Sequence, residues 1–368
     1  MSGAPPPDIG AKRIQLGQLT GMRGLAAWFV VLYHARASLT AILPGEIIAV
    51  LAKGYLAVDL FFMLSGFVMW LSYCERFREG GWSETGTFLW KRLARIWPLH
   101  ALILAGFVVF GIALHLTGRE AQHYPFAELP LHIALVHNWG LTDGLAWNDP
   151  SWSISAEMGA YLLFPLLVLG VRWERIGIAG LLAVGGLIVL ALHAWFAHQG
   201  HRLLDDAIAR TGLVRCLAQF TLGMVLSQIW LRVRGNPSAR LAAFVALAGF
   251  AGLAILLPLP ETLVAPAIIA ALLLALALDT GALARCLASR PLSALGDWSY
   301  ATYLSHFGLF ILFKIAFVEA DLQVGWAGLA AYVLSVLAAS AILFTRVEKP
   351  AQNWLNGRRP ARLRSARR

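Results

Sequence analysis

His34, Asp59 and Glu157 stand within runs of residues that are otherwise almost wholly apolar. At the core of a bilayer such a group costs about 2.5–3.5 kcal/mol even on the gentlest scale, so each needs a partner or a task. An imidazole beside a carboxylate is equipped for general base catalysis. The carboxylate accepts one ring N–H and fixes the tautomer, and the other nitrogen takes a proton from an attacking hydroxyl. The plainer alternative is that Asp59 and Glu157 only hold helices together through hydrogen bonds. His306, close to Tyr300 and Tyr303, is either a second catalytic group or a packing histidine. Arg92 and Arg95 are spaced i, i+3 in Lys91-Arg-Leu-Ala-Arg-Ile-Trp-Pro, which puts two guanidinium groups on one helix face. That pair suits the two-pronged grip of a phosphate or pyrophosphate, although basic residues beside a span also snorkel to lipid headgroups. Arg23, between Gly21 and Gly24, has the same two readings, and Arg215 could balance a buried carboxylate.

These residues must be positioned by membrane-spanning helices. Of 368 residues, 59% are hydrophobic and 14% charged, against roughly 25% charged in a soluble domain. Mean hydropathy is +0.68. Apolar windows predict ten spans, at about 20–42, 54–74, 97–117, 153–171, 176–198, 210–231, 240–258, 262–279, 298–318 and 325–346. The apolar piece 130–136 is too short to cross and reads as re-entrant or interfacial. Lys and Arg fall 23 to 4 on alternate sides of these spans, which puts both termini in the cytoplasm. The fold class expected is therefore an all-α polytopic bundle. A cytoplasmic tail at 1–19 precedes the membrane domain 20–346, and a basic cytoplasmic tail follows at 347–368. No cleavable signal peptide is read. Cys74, Cys216 and Cys286 show neither metal-ligand nor disulfide spacing, so no metal is expected. The net charge of +10 reflects topology and not nucleic-acid binding.

Within those spans His34 lies about 12 Å below the outer surface, and Asp59 and Glu157 roughly 7 to 8 Å below it. The three are expected to share one outer-leaflet cavity, with either carboxylate orienting His34. Spans 5, 7, 8 and 10 read as scaffold. His100, His115, His132, His137, His193, His198 and His201 are given no role.

Taken in order, the motifs resemble the acyltransferase 3 family of membrane acyltransferases. They are Gly21-Met-Arg-Gly-Leu-Ala-Ala leading to His34, then Gly54-Tyr-Leu-Ala-Val-Asp-Leu-Phe-Phe-Met-Leu-Ser-Gly-Phe, then Arg92-Leu-Ala-Arg-Ile-Trp-Pro. Trp152-Ser-Ile-Ser-Ala-Glu157, Gly296-Asp-Trp-Ser-Tyr-Ala-Thr-Tyr-Leu-Ser-His306 and Glu348-Lys-Pro complete the set. The resemblance implies an enzyme of the cytoplasmic membrane that uses acyl-CoA, commonly acetyl-CoA, to acylate a hydroxyl of a glycan, lipid-linked sugar or small molecule. It implies a catalytic His34, an acyl-donor role for Arg92 and Arg95, and a Glu157 needed for activity. One departure is Thr20, where the family usually has Asp three residues before the first-motif arginine. The SGNH-hydrolase domain that some members carry at the C-terminus is not seen, so handover to a distant acceptor is expected to need a partner. The competing expectation is a secondary transporter or flippase for an anionic solute, using the buried charges as a proton relay.

Overall fold

The computed structural model describes residues 16–317 and 323–358. The basic residues of 1–15 and 359–368 that entered the orientation argument, with most of the expected N-terminal tail and the end of the C-terminal one, lie outside the described residues. Among those described, helices are the only regular secondary structure, with no strand.

Among the described residues, ten helices of 18 residues or more overlap the ten expected windows. They are α1 (Gly17–Ala35), α3 (Ala57–Gly80), α4 (Glu84–Leu116), α6 (Trp152–Gly170), α7 (Ile178–His198), α8 (Ile208–Val233), α9 (Pro237–Leu256), α10 (Glu261–Leu278), α12 (Arg290–Phe317) and α13 (Trp326–Leu343). Short helices α2 (Gly45–Leu51), α5 (Leu129–Ile133), α11 (Ala282–Leu287) and α14 (Lys349–Gly357) fill the connections. Eight stretches among the described residues are long and apolar enough to cross a membrane, and Gly45–Leu116 contains both α3 and α4. Helix α1 is not among the eight, because Gln18, Arg23 and His34 dilute its apolar run. Apolar side chains cover the outside, with Ile255 of α9 84% exposed, as expected where lipid is the solvent.

Boundaries depart from the windows where helix and apolarity part company. Helix α1 stops at Ala35, seven residues short of the expected 42, in a 3-10 turn Arg36–Leu39, so His34 lies in its last turn. Helix α4 begins at Glu84, well before the apolar stretch, and carries Arg92 and Arg95 in its body. A helix needs only its hydrogen-bond ladder to continue and does not need an apolar surface.

Two close helix crossings set the site. A Cβ on Gly66 of α3 would collide with the backbone of Phe220, and one on Gly223 of α8 with that of Met63. A Cβ on Gly24 of α1 would meet the backbone of Gly296 at 2.7 Å, and one on Gly296 would meet that of Thr20. Glycine lets these backbones touch, as is usual where membrane helices pack closely. The first crossing brings Asp59 to Arg215. The second brings Arg23 to Gly296 and, farther along, His34 to His306.

Candidate active site

Arg23, Arg92 and Arg95 converge on one cavity of about 190 Å³, although they come from two different helices, α1 and α4. Glu157 lines it as well, with Ser65, Ser153, Tyr161, Ser299, Tyr300 and Tyr303. Each guanidinium is steadied at the wall. Arg23 donates from Nε and Nη2 to the Gly296 carbonyl at 3.1 and 2.6 Å. Arg92 donates to the Tyr73 hydroxyl at 3.0 Å and lies over its ring. Arg95 is ion-paired with Glu348 and lies over the Tyr300 ring. The buried Nε of Arg92 has no hydrogen-bond partner, so the site keeps unused donor capacity. Glu157 accepts from the Tyr161 hydroxyl at 2.7 Å. The cavity thus offers anion-binding donors, one carboxylate and a ring of hydroxyls.

The expected grouping of His34 with Asp59 and Glu157 is not what the structure holds. Asp59 is fully buried and satisfied by Arg215, whose Nε and Nη2 reach its two oxygens at 2.8 and 2.5 Å. Gln219 adds a third bond at 3.1 Å. Arg215 spends its other donors on the Leu204 and Tyr55 carbonyls. Both Asp59 oxygens are engaged by Arg215 and Gln219, and no histidine is among its partners. Arg215 is the counter-charge, as its depth allowed. Glu157 faces the arginine cavity, and its nearest hydrogen-bond partner is Tyr161, not His34. Equal depth did not mean equal azimuth.

The partner of His34 is His306, whose Nε2 lies 3.1 Å from His34 Nδ1. The tautomers follow from the remaining contacts. His306 Nδ1 faces the carbonyl oxygens of Tyr303 at 2.7 Å and Thr302 at 3.2 Å, which only accept, so Nδ1 carries the proton. In the neutral ring Nε2 is then an acceptor. His34 Nδ1 faces that acceptor and the Val30 carbonyl, also at 3.1 Å, so it too is protonated. The basic nitrogen of His34 is therefore Nε2. This assignment comes from the hydrogen-bond network and not from hydrogens. It leaves His34 Nε2 with its lone pair free, and His306 takes the place beside the ring where a carboxylate was expected.

Tyr303 connects the two centres. It lines the arginine cavity, its hydroxyl is 2.8 Å from Ser153 Oγ and 3.0 Å from the Pro150 carbonyl, and its ring lies 6.0 Å from that of His306. Tyr300 belongs instead to the arginine end, over Arg95. Sequence reasoning missed Glu348, Tyr73 and Tyr303 as parts of the site. Glu348 was visible only as the acid of the closing Glu-Lys-Pro motif. Three histidines given no role, His100, His132 and His137, pack together beneath the 118–148 connection, with the rings of His132 and His137 stacked at 3.9 Å. Among the described residues, no group of three or more His, Cys, Asp or Glu is arranged to hold a metal ion.

An all-helical membrane domain with a cavity walled by three arginines, and a buried histidine pair nearby, fits a membrane-bound transferase. The chain belongs to the acyltransferase 3 family: the family model, described as an acyltransferase domain, matches residues 16–345. It is 31% identical over 384 residues to Acyltransferase MdmB of Streptomyces mycarofaciens, covering 96% of this chain and 95% of that one. It is 28% identical over 316 residues to Exopolysaccharide production protein ExoZ of Rhizobium meliloti, covering 81% of this chain and 89% of the relative. O-acetyltransferase OatA of Staphylococcus aureus is 22% identical over 337 residues, covering 83% of this chain and 52% of the relative. No solved structure matches the chain. The protein is an acyltransferase.

Proposed function

We propose that this enzyme is an O-acyltransferase of the cytoplasmic membrane, with ten spans and cytoplasmic termini, that moves an acyl group from acyl-CoA to a hydroxyl of a glycan or lipid-linked sugar. Acetyl-CoA is the simplest donor. The observation that carries the reading is the meeting, at Tyr303, of a cavity walled by three arginines with the His34–His306 pair. Arg23 and His34 lie roughly 16 Å apart along α1 at about 1.5 Å per residue. That separation suits a donor whose phosphates and thioester sit at opposite ends of a pantetheine arm. Arg23, Arg92 and Arg95 take the phosphates, and the thioester is directed past Tyr303 toward His34. Relatives named for exopolysaccharide production and for O-acetyl transfer favour a carbohydrate acceptor and an acetyl group.

In the reaction, His34 Nε2 removes the proton of the acceptor hydroxyl as its oxygen attacks the thioester carbonyl. The new C–O bond forms, the C–S bond breaks, and the CoA thiolate leaves with the proton returned from Nε2. The Nδ1–H of the transient imidazolium donates to His306 Nε2 throughout, which keeps the charge local and the ring aligned. His306 is thus the orienting group, and Asp59 is left out of the chemistry. Glu157, between the arginines and Ser153, helps shape the cavity where donor and acceptor would meet.

The test is His34→Ala in cells, with cell-surface glycans and lipids read by mass spectrometry beside wild type and a strain without the protein. The variant should accumulate in the membrane at wild-type level and give the acyl profile of the deleted strain. A wild-type profile would remove the mechanism. Uptake of an anionic solute into liposomes without thioester cleavage would favour the transporter.

A further inference from the structure

Among the described residues, Glu348 is the carboxylate ion-paired with the arginine cluster from outside the cavity. Its side chain is completely buried and does not line the cavity, whereas the Arg95 side chain is a quarter exposed into it. Among the described residues, no hydrogen-bond donor apart from that guanidinium reaches either carboxylate oxygen. Glu348 closes a π-helical turn, Phe344–Glu348, that joins α13 to α14. Such turns place a side chain where a regular helix would not, and they are frequent at functional sites. Helix α14 is in turn fixed to α4, since Trp90 Nε1 donates to the Leu355 carbonyl at 3.2 Å. The carboxylate and the arginine it grips are therefore braced against the same helix.

All three arginines share one arrangement, each held from behind by an acceptor that the cavity does not include. For Arg23 it is the Gly296 carbonyl, for Arg92 the Tyr73 hydroxyl, and for Arg95 the Glu348 carboxylate. Only the last carries a full charge. A guanidinium offers five N–H groups in a rigid fork, so it can satisfy a carboxylate with one edge and a phosphate with another. A donor therefore need not displace Glu348 to use Arg95.

We propose that Glu348 is a positioning residue of the donor site, holding Arg95 at the cavity wall with its free N–H groups turned toward a donor phosphate. The proposal rests on the reading that these arginines bind acyl-CoA. Loss of the carboxylate frees a long side chain to leave the wall, and the phosphate must then reorder it on binding.

The experiment measures binding of CoA to the purified full-length chain in nanodiscs for wild type, Glu348→Gln, Arg95→Gln and the double variant. Wild type should bind CoA, and each single change should raise Kd about tenfold, the scale of one charge-assisted contact. The double variant should bind no worse than Arg95→Gln alone, because a residue acting only through Arg95 has nothing to lose once Arg95 is gone. Additive losses, or an unchanged Kd in Glu348→Gln, would overturn the proposal. If the unpaired arginine stops Glu348→Gln from folding, Arg95→Gln is compared with the doubly neutral variant, which buries no lone charge. Equal Kd values then support the proposal and a further loss overturns it. A wild-type protein that does not bind CoA would instead remove the donor reading itself.

Discussion

The membrane domain holds two clusters of buried charge built from the same residue types, and they are opposites in what they leave unspent. Around Arg215, two oxygens of Asp59, two backbone carbonyls and the flanking rings of Tyr55 and Trp152 enclose the guanidinium completely, and among the described residues no cavity opens on it. Around Arg23, Arg92 and Arg95, each guanidinium has a rear support and an open front on a cavity. Charge inside a membrane is not by itself the mark of a site. Residual capacity is. A closed pair fastens α3 to α8, while an open cluster keeps guanidinium edges turned to a cavity.

The sharpest way to break this comparison is to unbalance the closed pair. Asp59→Asn leaves Arg215 buried without a counter-charge, at a cost of about 3–5 kcal/mol. That is a large share of a typical fold's stability. The variant should fail to yield a monodisperse protein, whereas Asp59→Asn with Arg215→Met should recover much of the yield, since a neutral pair is far easier to bury. An Asp59→Asn protein with wild-type thermal stability but no activity would return Asp59 to the chemistry.

The open cluster should respond in the reverse sense. Arg92→Ala with Arg95→Ala removes two guanidiniums whose function, on this reading, is binding, and about 100-fold in CoA affinity should go with them, near 2.7 kcal/mol. Thermal stability in detergent should change little once Glu348→Gln is added, because Arg95→Ala alone leaves that buried carboxylate without a counter-charge, whereas the Arg92 and Arg95 side chains themselves face a cavity and not a packed core. Calorimetric titration beside a melting curve separates the two quantities. Wild-type CoA affinity would dismiss their assignment.

What the sequence makes legible follows from which coordinate a residue pattern encodes. Apolar windows report position along the membrane normal, so ten windows and ten helices overlap, and the arginines of α1 and α4 were expected on the same side. The windows say little about rotation, because most of these helices are apolar nearly all round. Asp59 was matched with His34 by depth and meets Arg215, 156 residues away, instead. His34 meets His306, 272 residues away. In each case a glycine crossing chose the face, and a glycine pair far apart in the chain is invisible until the helices are placed. Glu348 was hidden for a different reason: it lies at a π turn, where the register that a regular helix would predict no longer holds.

A third cluster tests the same rule with groups that can discard their charge. His132 and His137, outside the spans, are buried beneath the 118–148 connection with both Nδ1 atoms unpartnered. Burial, with the neighbouring His100 adding to it, pushes His132 down to about 4, and burial holds His137 well below the usual histidine range. Here closure is kept by neutrality, not by a counter-ion. The sign is fixed by where the proton binds more tightly. The opened segment takes up protons near pH 6.5 and the closed one only near 4, so stability is complete above about 6.5 and drains away as pH falls toward 4. Amide exchange of residues 129–139, corrected for the intrinsic pH dependence, should therefore lose about twentyfold in protection between pH 7 and pH 5 from His132 alone, and more with His137. Replacing His132 and His137 by Asn should flatten that dependence while leaving exchange in α8 untouched. A segment equally protected at both pH values would mean that the stacked rings admit water, and that enclosure is not what keeps them uncharged.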